Sequence, residues 1–366
     1  MSAPCATLAP LKFAALEGWG NANLDSALAA FRRSAQEILT TAHGFKRKAE
    51  FSGHYDDWLP TCCAAMEANH AGAFFEEHFR PFKIIDPVKP GGLFTGYYEP
   101  IAQGSRKKSD RFHVPIYQPP PELVAFPADV EAETGFRYGR FLQGRPAPFL
   151  SRRQIEVGAL DGRGLEICWL DNWLDAFFIH IQGSGRIHLD DGTTVRLAFA
   201  AKNGQPYASI GAALLAKGHG TPDAMSMQFL RQWMAKNPAE SRELMWQNES
   251  FIFFREIEVS DPTLGALGAA QVNLTPLCSL AIDRRYWMFG TPFWLATTTP
   301  SQAPGGAKPF LHLMIGQDTG TAIRGPLRGD IYWGWGDEAI ANAGYMKSPG
   351  QMASLLPLPV VRRLGL

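Results

Sequence analysis

The sequence predicts a mainly β protein with accessory helices, on three observations. The 36 glycines and 27 prolines break the chain into short runs, and these residues punctuate short strands and turns more than long helices. The stretch from Ile315 to Pro349 sets Asp318 and Asp330 among aromatics and six glycines between Gly316 and Gly336. Segments with helical apolar spacing, Asn23 to Thr41 foremost, stand apart from runs of β-type composition.

At 366 residues the chain is long enough for two domains, and 46% apolar content supplies their cores. Formal net charge is zero, which argues against a nucleic-acid partner held through phosphate contacts. Neither sign dominates, so global steering selects neither an acidic nor a basic ligand. The five cysteines, Cys5, Cys62, Cys63, Cys168 and Cys278, are odd in number and include an adjacent pair. They do not make a disulfide framework, and no spacing suggests zinc. No apolar run reaches transmembrane length, and no signal peptide is visible in the first residues. Cys5, after Ala3 and Pro4, is a poor lipid acceptor.

In chain order, residues 1–22 read as irregular. Asn23 to Thr41 reads as an amphipathic helix, with Leu24, Leu28, Phe31, Ala35, Ile38 and Leu39 on one face. Pro60 to Phe79 reads as one more helix, ended by Pro81. Gly91 to Pro100 reads as strand, bend, strand. There Thr95, Tyr97, Tyr98 and Glu99 offer either a ligand wall or ordinary sheet polarity. Residues 101–150, with a Lys/Arg run at Arg106 to Arg111 and three prolines from Pro119, read as a crossing segment at a domain boundary. Ser151 caps a short helix. Phe177 to Ile181 reads as a buried strand running into Gln182, Ser184 and Arg186, neutral and cationic groups set between glycines. Those groups suit a glycan or carboxylate contact, or a plain turn. The third glycine of a dinucleotide loop is replaced by His188. Asp190-Asp191-Gly192 signals a hairpin. Helices are expected from Pro206 to Lys217, from Thr221 to Lys236 and over 238–247, then an apolar strand at Phe251 to Phe254.

From Val272 the pattern is β again, and Asp283, Asp318 and Asp330 fall at or near strand ends. Ile323 and Ile331-Tyr332-Trp333 read as short strands. Asp283, beside Arg284 and Arg285, reads as an ion-paired structural residue. Asp318 opens Asp-Thr-Gly-Thr-Ala, an aspartic-protease pattern, but that chemistry needs a second such aspartate sharing a proton. The chain has no second Asp-Thr-Gly. Glycan cleavage is the better match. A hydrolysing glycosidase uses two carboxylates; a lytic transglycosylase can use one, if burial or a like charge raises it. Asp330, beside Tyr332 and Trp333, suits that role, whereas solvated turn aspartates would be the plainer alternative.

Four motifs in order carry a specific resemblance: FTGYYEP (Phe94–Pro100), FFIHIQGSGRI (Phe177–Ile187), DRRYWMFGTPFWL (Asp283–Leu295) and QDTGTAIRGPLRGDIYWGWG (Gln317–Gly336), with the tail AGYMKSPG. Together they resemble the MltA family of lytic murein transglycosylases. The resemblance implies a double-psi β-barrel domain made from the two ends of the chain, a β-rich domain inserted in it, and a groove between them; the charged and proline-rich stretch after residue 105 and the Gly265–Gly268 loop set the bounds at 1–105 with 265–366 and 106–264. It places the catalytic acid/base on Asp330, a supporting aspartate on Asp318 and a substrate-contacting threonine on Thr95. It lines the groove with Gln182, Ser184 and Arg186 from the inserted domain; on residue chemistry alone, Tyr97, Tyr98, Tyr332 and Trp333 are added as faces for substrate.

The activity so implied is that of a lytic exotransglycosylase, a carbon–oxygen lyase cleaving the β-1,4 bond between N-acetylmuramic acid and N-acetylglucosamine. It leaves a 1,6-anhydromuramic end. The partner is peptidoglycan, with cell-wall synthesis enzymes as further candidates; the expected protein is a monomer of the periplasm or outer membrane, without metal or organic cofactor. The alternative is a non-catalytic glycan-binding module built on a related expansin-like barrel.

Overall fold

The computed structural model describes residues 6–42, 44–222, 224–258, 261–302 and 306–366; Cys5 lies outside the described residues. The chain divides into two compact units, Met1–Tyr98 with Pro262–Leu366, and Glu99–Asp261. The first division falls ahead of the expected residue 105 because Ile101–Ser105 is a strand of the second unit, paired with Ser184–Leu189 and Glu166–Leu170.

Among the described residues the first unit holds an eight-stranded sheet. In pairing order the strands are Thr7–Pro10, Phe79–Ile85, Lys347–Pro357, Pro292–Thr298, Pro309–Asp318, Ser279–Ala281, Arg328–Tyr332 and Gly92–Tyr97. Gly92–Tyr97 pairs again with the start of Lys347–Pro357, so the strands from that one round to Gly92–Tyr97 close into a barrel. Two pairings in the ring are parallel, Ser279–Ala281 with Pro309–Asp318 and Arg328–Tyr332 with Gly92–Tyr97. A closed barrel is what the family resemblance implies. The opening segment is not wholly irregular, since Thr7–Pro10 pairs with Phe79–Ile85. Ile323 is not in a strand; its amide closes a turn onto Gly320.

The barrel core gathers Phe94, Leu280, Ile282, Trp287, Phe293, Leu295, Met314 and Ile331, all buried. Helix Asp25–Thr40 lays Leu28, Phe31, Ala35 and Ile38 on the same cluster. The buried Gln317 amide pins the helix to the barrel, donating to Ala30 O and to Ser34 Oγ, both at 2.8 Å, and accepting from Ser279 Oγ at 2.6 Å. A buried amide in that position needs those partners. The helix expected from Pro60 to Phe79 is two, Leu59–Glu67 and Ala71–His78. The break is stabilised by Arg32, whose guanidinium takes the carbonyls of Ala65 and Ala68 at the end of the first helix.

The second unit carries a six-stranded sheet, ordered Ile252–Ile257, Thr194–Lys202, Ser184–Leu189, Ile101–Ser105, Glu166–Leu170 and Val114–Tyr117. A smaller sheet joins Val124–Ala125, Tyr138–Leu142 and Arg145–Ala147, so residues 101–150 are structured rather than a bare crossing segment. Ser184–Leu189 and Thr194–Lys202 form the expected hairpin about Asp190-Asp191-Gly192. Ser151 accepts the amide of Gln154 and caps its short helix. The helix expected from Thr221 begins only at Met227, capped by Ser226.

The main correction lies at Phe177 to Ile181, which is helix, not strand. Helix Trp173–Gln182 starts where Asn172 Oδ1 accepts the amide of Asp175 at 2.8 Å, and stops at Gly183 in the left-handed region. Its two sides enter two different clusters, Ala176 and Ile179 in one, Phe177 and Phe178 in the other. Burial on both sides erases the amphipathic period that would have identified a helix. His180 is buried within it and accepts the amide of Ile252 at 3.3 Å. Among the described residues no helix is long and apolar enough to cross a membrane.

Candidate active site

Barrel register sets the site. Thr95 stands opposite Asp330, Asp330 opposite Ala281, and Ala281 opposite Asp318. Regular pairing would have set Gln317 beside Ala281. A register shift between Leu280 and Ala281 brings Asp318 there instead, the re-aiming that a bulge provides. Two strand spacings, about 10 Å of main chain, separate the two aspartates.

Asp318 Oδ1 accepts the amides of Ala269 at 3.0 Å and Thr319 at 2.9 Å, and Oδ2 accepts the Tyr97 hydroxyl at 2.9 Å. Asp330 Oδ1 accepts the Thr95 hydroxyl. Both carboxylates keep a partly open face, yet each is ringed by protein atoms that replace its water. Burial raises the Asp318 carboxyl above its ordinary range, opposed by its two amide bonds and Tyr97; the Asp330 charge adds to the rise. Burial likewise raises Asp330, against the pull of Arg328 and the Thr95 hydrogen bond. The Tyr97 hydroxyl is held well above its usual value, first by burial and then by Asp318, so it remains a proton donor.

The aromatic residues do not all face a ligand. Tyr97 packs on Tyr332 with ring centroids 5.2 Å apart. Tyr332 is itself buried, with Ala266 and Leu274, and supports Tyr97 from beneath. Tyr98 has no exposed surface, so the expectation that it stacks on substrate is corrected: it follows the end of strand Gly92–Tyr97 and is covered, whereas Tyr97 keeps part of its surface open. Trp333 is half-buried, 5.8 Å from the Phe310 ring. Its indole lies over Gly96, where a Cβ would come within 2.6 Å of Nε1.

Gln182, Ser184 and Arg186 belong to the second unit. Gln182 ends helix Trp173–Gln182, half-buried, and Ser184 is buried at the start of its strand. Arg186 donates from Nε to Glu99 at 2.8 Å. Glu99, wholly buried, also accepts Arg196 Nε and Nη2 at 2.9 and 3.0 Å. It is the hub of an ion cluster, not a second reacting carboxylate. Asp283 holds Arg285, as its neighbours suggested, and accepts the amide of Gly325 at 2.7 Å.

Arg328 is the residue that sequence reasoning missed. Its Nη2 donates to Thr95 Oγ1 at 2.6 Å. The signal was the period of two along Arg328–Tyr332, which puts Arg328 on the Asp330 face.

Residues 93–255 match the MltA specific insert domain, and residues 278–356 match the 3D domain. The chain is 34% identical over 268 residues to membrane-bound lytic murein transglycosylase A of Vibrio cholerae, a match covering 72% of this chain and 65% of that protein's length. The crystal structure of a membrane-bound lytic murein transglycosylase from Agrobacterium tumefaciens superposes with a TM-score of 0.86 at 34% identity, covering 98% of this chain and 99% of that one. Escherichia coli MltA with bound chitohexaose superposes with a TM-score of 0.67 at 26% identity, covering 98% and 93%. This chain therefore belongs to the MltA family of membrane-bound lytic murein transglycosylases.

Proposed function

We propose that the protein is a peptidoglycan lytic transglycosylase in which Asp330 is the single acid/base. The observation that carries this reading is the Asp330 carboxyl itself: partly open, raised by burial, and hydrogen-bonded on one oxygen by Thr95. A raised carboxyl can be neutral when substrate arrives and ionised a step later. In the first step its proton passes to the glycosidic oxygen as the bond from C1 of N-acetylmuramic acid to O4 of N-acetylglucosamine breaks. In the second, the carboxylate takes the proton of the C6 hydroxyl as O6 bonds to C1. Asp330 ends neutral, no water is consumed, and a 1,6-anhydro ring closes the product. Asp318 supports the positive charge that develops on the sugar between the two steps. Its bonds to Ala269, Thr319 and Tyr97 fix it in place for that. Tyr97 and Trp333 supply apolar faces for the sugar rings. The family name and the glycan bound by the Escherichia coli relative agree with this substrate class. The site of action is then the cell envelope, where that polymer lies.

The test is mass spectrometry of the products formed from purified peptidoglycan by wild type and by Asp330→Asn. The expected result is anhydro-muropeptides from wild type and a fall of at least about a hundredfold in the variant. Full activity in Asp330→Asn overturns the assignment. Products carrying an added water would make the protein a hydrolase. Retained glycan binding without products from wild type would leave a binding module.

A further inference from the structure

A carboxyl has two oxygens, and a single acid/base has to present the correct one. We infer that Arg328 acts through Thr95 as a positioning residue, committing Asp330 Oδ1 to a fixed hydrogen bond and leaving Oδ2 as the oxygen that gives and takes the proton. The inference rests on the reading of Asp330 as the acid/base and adds to it the atom and the device that selects it.

The argument is one of donors and acceptors. Arg328 Nη1 donates to the carbonyls of Leu93, at 3.3 Å, and Gly329. These main-chain contacts anchor the guanidinium on the barrel wall. Nη2 then meets Thr95 Oγ1 at 2.6 Å. A guanidinium has no acceptor, so Thr95 can only accept there. The lone hydroxyl proton is left for Asp330 Oδ1. With Oδ1 always accepting, the neutral acid carries its proton on Oδ2. Threonine is stiff about χ1, which keeps the relay in register.

The same chain of contacts sets the pH at which Asp330 works. The groups around it are Arg328 and Tyr332 on its own strand, Thr95 and Tyr97 on Gly92–Tyr97, Asp318 across Ala281, and Lys347, exposed opposite Thr95. Ser279–Ala281 contributes no charge. Arg328 is the cation that opposes the effect of burial on Asp330.

The experiment pairs two readouts on Arg328→Gln, Arg328→Lys, Thr95→Val and Thr95→Ser. One is the pH profile of anhydro-product formation. The other is the 13C titration of the Asp330 carboxyl, assigned by its loss in Asp330→Asn, which needs no turnover. Arg328→Gln is expected to move the carboxyl midpoint and the pH optimum upward and to lower kcat about tenfold to a hundredfold at the new optimum. Arg328→Lys restores the midpoint with part of the rate. Thr95→Val loses rate as Arg328→Gln does, with KM little changed, and Thr95→Ser, which keeps the hydroxyl but not the β-branch, recovers part of that rate. An unmoved midpoint in Arg328→Gln, or full activity in Thr95→Val, overturns the inference. Should Asp330→Asn stay active, the acid/base reading fails on its own, and the 13C titration still reports whether Arg328 governs Asp330.

Discussion

Replacing Glu99 by Gln separates a structural carboxylate from a chemical one. Glu99 has no exposed surface and accepts three guanidinium N–H groups, one from Arg186 and two from Arg196. Arg196 is 1% exposed and the Arg186 side chain 11%. The amide keeps the shape but removes the negative charge that both arginines share. It also sets an NH2 against N–H donors. Both guanidinium groups then lose the carboxylate they share. Removing one partner of a buried pair costs about 3–5 kcal/mol because the remaining charge stays desolvated. Against a domain stability of about 5–15 kcal/mol, that is a large fraction. At about 2–4 °C per kcal/mol for a unit of this size, the melting temperature falls by roughly 6–20 °C. Thermal and urea unfolding measure the loss, and turnover below the melting range measures the chemistry. Adding Arg196→Met recovers part of the stability, since an apolar replacement needs no counter-ion. A loss under about 1 kcal/mol would refute the reasoning, and so would lost turnover in a variant as stable as wild type.

Asp330→Asn should be more stable than wild type at neutral pH. Burial sets the folded pKa of Asp330 above the unfolded one, so the native state holds the proton longer. The destabilisation is full above the folded value and absent below the unfolded value of about 3.9. The advantage of the variant in urea midpoint should therefore be present at pH 7 and gone near pH 3; a pH-independent difference contradicts it. Gly96→Ala would set a Cβ 2.6 Å from Trp333 Nε1 and 2.7 Å from Ala343 Cα. Since main chain cannot swing aside, about 1–3 kcal/mol of stability should be lost, with a fall in kcat as the neighbouring Thr95 shifts; urea unfolding and product assays check both. Asn172→Ala removes the cap of helix Trp173–Gln182 and should lower the urea-derived stability by about 1 kcal/mol.

The sequence by itself determined what local pattern and residue chemistry can carry. Helix Asp25–Thr40 was legible because it buries one face only and keeps its period. The hairpin about Asp190-Asp191-Gly192 was legible from its turn residues. The concentration of Asp318, Asp330, glycines and aromatics marked the C-terminal segment before any strand was placed. Tertiary structure decided the rest. It made Phe177 to Ile181 helical, because burial on two sides leaves no period to read. It buried Tyr98 and left part of Tyr97 open, because which of two adjacent tyrosines is covered depends on what packs there from elsewhere in the chain. It turned Glu99 into the hub of an ion cluster, because both arginines lie about a hundred residues away along the chain. Thr95, Arg328, Asp330 and Asp318 come together only when the barrel closes. Charge and hydrogen bonding act over a few ångströms of space, and sequence records distance along the chain alone.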